Sequence, residues 1–173
     1  MPKSPWEARV GMLLDPARNT AFVWSFKPYD SGAYGGQPRI DYIACDILGR
    51  HWLIEVKNMP VTRKTFGLLT DISPGQRAAL DAVCESLYGV ALLAIGRDKT
   101  LYLFDWRDVA WLLTSENPGS PHLPLDTALL TYEWSGPKKW QYRLYTDYND
   151  QRPGITEVLT QHAGRLPEPG PLP

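Results

Sequence analysis

Pro38-Arg39-Ile40-Asp41-Tyr42-Ile43-Ala44-Cys45-Asp46-Ile47-Leu48-Gly49-Arg50-His51-Trp52-Leu53-Ile54-Glu55-Val56-Lys57 is the stretch that decides the fold. It reads as two short strands joined by a turn at Gly49. Residues 40–47 are apolar on both faces, the pattern of a strand buried between layers. Side chains alternate along a strand, so Glu55 and Lys57 share a face while Val56 points into the opposite layer. The turn decides whether Asp41 joins them. A two-residue turn Gly49-Arg50 pairs Leu48 with His51 and leaves Asp41 on the wrong face. A three-residue loop Leu48-Gly49-Arg50, or a one-residue bulge, pairs Asp41 with Lys57 and Ile43 with Glu55, all on one face. An odd loop or a bulge is therefore expected. Two carboxylates and a lysine around one point can hold a divalent cation with a water beside it.

Working towards the N-terminus, Thr20 to Phe26 alternates loosely and reads as a strand. Ser4-Pro5-Trp6-Glu7 opens a helix to about residue 14, with Ser4 as N-cap, Pro5 at the first helical position and Glu7 completing a capping box. Trp6, Val10, Leu13 and Leu14 form its apolar stripe. Residues 28–38 are a Gly- and Pro-rich loop, in which Ser31-Gly32 reads as a turn. Beyond Lys57, residues 60–72 are poorly patterned and read as a mobile loop near the active face, carrying Arg63 and Lys64. Ser73-Pro74-Gly75-Gln76 caps a second helix to about residue 87, with Ala79, Leu80, Val83 and Leu87 buried. Strands follow at about 90–95 and 100–104, then a short helix at 106–113. Residues 127–134 and 140–148 read as an aromatic C-terminal hairpin, 155–162 as a short helix, and 164–173 as a disordered Pro-rich tail. The order of elements predicts one α/β domain over 1–163, with a mixed central sheet flanked by helices.

The 173 residues suffice for one domain with a proper core and are too few to make two expected. No apolar run is long enough to span a bilayer, and the N-terminus carries no signal-peptide pattern. Cys45 and Cys84 read as buried free thiols in a reducing cytoplasm, and no Cys/His cluster has zinc spacing. A net charge of −1 argues against a general nucleic-acid binder. It leaves room for a nuclease, because an acidic metal site lowers the net charge while local basic groups still contact phosphates. Arg39, Arg50, Arg63, Lys64, Lys138, Lys139 and Arg143 are the basic candidates, each taken singly better explained as a solvated surface charge. Arg39, Arg63 and Lys64 lie nearest the hairpin and are the expected DNA contacts.

Asp41 with Glu55-Val56-Lys57 on a strand hairpin resembles the signature of the PD-(D/E)XK nucleases, whose fold is a mixed, restriction-endonuclease-like sheet. One departure is that Asp41 follows Pro38-Arg39-Ile40 and not a proline directly. The spaced P-x-x-D-Y form, with Ser31-Gly32 upstream, resembles the archaeal and RecU-like Holliday junction resolvases over roughly the first two-thirds of the chain. That resemblance implies Mg²⁺, with Mn²⁺ as a substitute, held by Asp41, Glu55 and the Val56 carbonyl. Lys57 would orient the attacking water or stabilise developing charge, and Glu7 would complete or extend the metal site. It also implies DNA contacts from Ser31 and Gln76, a homodimer, four-way junctions as substrate, and a prokaryotic or phage-infected cytoplasm. Capping alone accounts equally for Glu7, where the resemblance tips the reading to a catalytic role, and is the preferred account of Gln76. The rivals are another nuclease of the same superfamily, for restriction or repair, and a non-catalytic DNA-binding scaffold.

Overall fold

The structure, a computed structural model, describes residues 4–28, 40–114, 121–134 and 144–152. In chain order its elements are α1 (Pro5–Leu14), β1 (Phe22–Phe26), β2 (Tyr42–Asp46), β3 (His51–Asn58), β4 (Phe66–Gly67), α2 (Leu68–Asp71) and α3 (Pro74–Cys84). There follow β5 (Gly89–Arg97), β6 (Thr100–Asp105), α4 (Trp106–Thr114), β7 (His122–Leu123), β8 (Leu130–Glu133) and α5 (Leu144–Gln151). Six strands form one sheet in the order β1-β2-β3-β5-β6-β8, and β4 pairs with β7 in a separate ribbon. β3 and β5 run parallel and the other neighbours antiparallel, so the sheet is mixed. The parallel pair needs a crossover, which α2 and α3 supply. The protein is a single α/β domain with helices on both sheet faces. Among the described residues no helix is long and apolar enough to cross a membrane.

β5 reads Val-Ala-Leu-Leu-Ala-Ile because it is covered on both faces, and residues 90–95 are fully buried. Val90, Leu92 and Ala94 face one core cluster with Trp52, Ile54, the α1 stripe and Leu144 and Tyr148 of α5. Ala91, Leu93 and Ile95 face the other, with Leu80 of α3 and Trp106 and Val109 of α4. At Gly96 an added Cβ would lie 2.0 Å from Cγ of Trp6. The absent side chain lets α1 pack directly on the sheet, which carries Glu7 to its place.

The β2–β3 turn has the odd length that the alternation requires. The Asp46 N–H donates to the Arg50 carbonyl, enclosing the three-residue loop Ile47-Leu48-Gly49. Gly49 takes φ +77°, the left-handed position such a loop reserves for glycine. The loop lies one residue earlier than expected, so the pairs are Tyr42 with Ile54 and Ile43 with Leu53. One step further along the ladder sets Asp41 across from Glu55, where Lys57 was expected.

Four other expectations need correction. Residues 60–72 are not a featureless loop: Phe66, Leu68 and Ile72 are buried, because β4 pairs with the distant β7. α3 stops at Cys84, and Leu87 is half exposed. Of the expected C-terminal hairpin the first strand is β8, and in place of the second, residues 144–151 are helical, with Leu144 and Tyr148 four apart on one buried face. Arg50 is likewise no surface cation. Its Nε donates to Asp46 Oδ2 at 2.6 Å, and its guanidinium carbon lies 5.3 Å from the ring centroids of both Trp52 and Tyr145. Ser31, Arg39, Lys138, Lys139 and Arg143, the 155–162 helix and the tail lie outside the described residues.

Candidate active site

Glu55 and Lys57 stand near the carboxyl end of β3, on the face that α3 covers, as the alternation requires. Lys57 Nζ lies 2.8 Å from Glu55 Oε1 and donates to Gln76 Oε1 at 3.1 Å. Gln76 Nε2 donates to the same Glu55 oxygen at 2.5 Å. Gln76 is also a true capping-box residue: its Oε1 accepts from Ser73 N, and Ser73 Oγ accepts from Gln76 N. The capping reading of this residue is thus met, and the same side chain reaches Glu55 and Lys57. The cap locks the amide, and the locked amide holds Glu55 and Lys57.

Asp41 enters from the start of β2. Its Oδ2 accepts from the Val56 N–H at 2.9 Å. Within a strand, N–H and C=O of one residue point to the same side, so the Val56 carbonyl also faces Asp41 and not β5. Burial pushes the Asp41 carboxyl up, and Glu7 adds to this; the Val56 N–H, Lys27 and Lys57 oppose it. Glu55 is pushed up to about 7, first by burial and then by the Asp41 charge, against the pull of Lys57 and of the Asp41 backbone N–H. Its Oε2 is buried without a hydrogen-bond partner.

Glu7 arrives from the first turn of α1, where Ser4 Oγ accepts its N–H at 3.2 Å. The Tyr42 hydroxyl donates to the Glu7 carbonyl at 2.8 Å and so ties α1 to β2 beside Asp41. Burial, then Glu7 and Asp41, raises the Tyr42 hydroxyl to about 12, which keeps it a donor. The Glu7 carboxylate is paired with Lys27 Nζ, just beyond β1. Lys27 was not singled out in the sequence, where a lone lysine after a strand looks like any surface cation.

Arg63 is committed to a two-pronged pair with Asp71; burial raises that carboxyl, and Arg63 with the Gly67 N–H more than offsets it, leaving it lowered. Lys64 is exposed on the same loop. Among the described residues no group of three or more His, Cys, Asp or Glu side chains converges closely enough to hold a metal. What is present is a two-carboxylate arrangement, Asp41 and Glu55, with a backbone carbonyl turned to the same place. The buried, unpartnered Glu55 oxygen suits a cation, since such an atom costs free energy until something satisfies it. No known protein family and no curated protein matches this chain.

Proposed function

We propose that this chain is a metal-dependent DNA endonuclease that resolves four-way junctions by paired nicks, acting as a homodimer. The observation that carries the reading is the Glu55 Oε2 atom, buried and unpartnered beside Asp41 and one strand position pair from Lys57. Asp41, Glu55 and the Val56 carbonyl would hold Mg²⁺ or Mn²⁺, which supplies Lewis-acid polarisation of a phosphate oxygen and a water of lowered pKa. Lys57 has three N–H donors and spends them on Glu55 and Gln76 with one to spare. That donor can orient a water or meet negative charge developing on the phosphate. Gln76 keeps the Lys57 ammonium and the Glu55 carboxylate from drifting apart. The junction preference rests on the likeness of the P-x-x-D-Y stretch to the resolvases, and a twofold homodimer suits a substrate with two-fold symmetry.

The test is incubation of the protein with labelled four-way, duplex and single-stranded DNA and Mg²⁺. Asp41→Ala, Glu55→Ala and Lys57→Ala should each abolish cleavage yet leave DNA binding nearly intact, because phosphate contacts supply most of the affinity. Full activity of Glu55→Ala would end the nuclease reading. The ion pairs Lys27–Glu7 and Lys57–Glu55 neutralise carboxylates without any metal, which favours the scaffold as the second reading. Mn²⁺ titration separates the two, since a scaffold needs no ion.

A further inference from the structure

We propose that the Lys27 ammonium occupies the place of a second metal ion, so that the site takes one divalent cation per chain and not two. The inference rests on the nuclease reading of Asp41 and Glu55. The Glu7 charge acts on Asp41 and the Asp41 charge on Glu55, and an ammonium engages each of the two glutamates, Lys27 at Glu7 and Lys57 at Glu55. At the Glu55 side, Lys57 and Gln76 both engage Oε1 and leave Oε2 buried without a partner, which is the opening for an ion. At the Glu7 side the carboxylate is already engaged by Lys27, and only about a quarter of the lysine side chain is exposed.

Lys27 is held in this position. Its ammonium lies 5.8 Å from the Tyr42 ring centroid, and the hydroxyl of that ring is bonded to the Glu7 backbone. The charge is therefore held on Glu7, and it also acts on Asp41 in the sense a cation would. A nuclease with two ions would need Glu7 and Asp41 to share the second. Here that ion would have to displace a fixed ammonium from a mostly buried carboxylate, and like charges cannot share so small a space.

The test counts bound Mn²⁺ per full-length chain by titration calorimetry, with electron paramagnetic resonance of the free ion as a second count. The wild-type protein should bind one ion. Lys27→Met, which keeps the stem and loses the charge, should bind a second, weaker ion, and adding Glu7→Gln should return the count to one. Lys27→Gln, which retains a hydrogen bond to Glu7, serves in the same way should circular dichroism show Lys27→Met unfolded. Two ions in the wild type, or one in the folded neutral variants, would overturn the inference and leave the nuclease reading standing. No ion in the wild type would overturn both.

Discussion

Glu55 is the residue at which burial and the proposed metal-binding role conflict. Its carboxyl is raised from an ordinary 4.5 to about 7. Between these values the folded protein binds more protons than the unfolded chain, so metal-free stability falls as pH rises through this window and stays low above it. Glu55→Gln keeps an acceptor for Lys57 and Gln76 and removes the buried charge. At pH 8 without metal it should be more stable than wild type by on the order of 1 kcal/mol, with the difference gone by about pH 4. Thermal melts across that range, with chelator present, give the comparison; a flat wild-type profile would show that Glu55 carries no such burden. Adding Mn²⁺ should reverse the order, because only the ionised carboxylate binds the ion. Glu55 and Lys57 share a face by strand alternation alone, and Asp41 joins them once the turn is given an odd length. Lys27 could not be found in this way, because its role depends on α1 lying over the sheet at Gly96, a contact between residues far apart in the chain.

The β2–β3 hairpin is the element that sets the site. Its odd loop followed from requiring Asp41 and Glu55 on one face, but the register did not, because Asp46 fixes it. Both Asp46 oxygens are engaged, Oδ1 by the N–H groups of Leu48 and Arg50 and Oδ2 by Arg50 Nε and Trp52 Nε1. In sequence Asp46 and Arg50 look like turn-flanking surface charges; aromatic cover from Trp52, Tyr145 and Tyr148 makes them core. Asp46→Ala should cost about 3–5 kcal/mol, since it leaves Arg50 buried without its counter-charge. Gly49→Ala should cost only about 1 kcal/mol, the strain of a left-handed φ, because an added Cβ meets nothing within 4 Å. Urea unfolding of both variants checks the ranking, and equal losses would mean that the turn, not the buried pair, sets the register. The C-terminal misreading has a similar physical cause: the tyrosines at 145 and 148 favour a strand locally, yet Tyr148 is drawn inward against Trp52, 5.0 Å between ring centroids, at helical spacing from Leu144.

At the scale of the whole molecule, one sheet serves two cores, and the candidate site stands at its end beside the carboxyl terminus of β3. In sheets with parallel strands this end is where ligands gather, because crossover connections leave a crevice there. Each chain thus presents one such site among its described residues, whereas resolving a four-way junction takes two opposed cuts. Two copies related by a twofold axis meet that need, and the two cuts should then occur within one binding event. On a supercoiled plasmid bearing an extruded cruciform, linear DNA should be the first product, without build-up of nicked circles. The first nick releases supercoiling and lets the cruciform reabsorb, so a molecule cut only once loses its substrate. Mixing wild-type chains with an excess of Lys57→Met chains should give mixed dimers with one working site, and nicked circles should then dominate. Four-way junctions built from short synthetic strands cannot reabsorb in this way and should be cut faster than linear duplex of the same length under the same Mg²⁺ and salt, since salt screens phosphate contacts on both. Nicked circles as the first wild-type product, together with equal rates on junction and duplex, would assign the site to a nuclease that cuts one strand at a time.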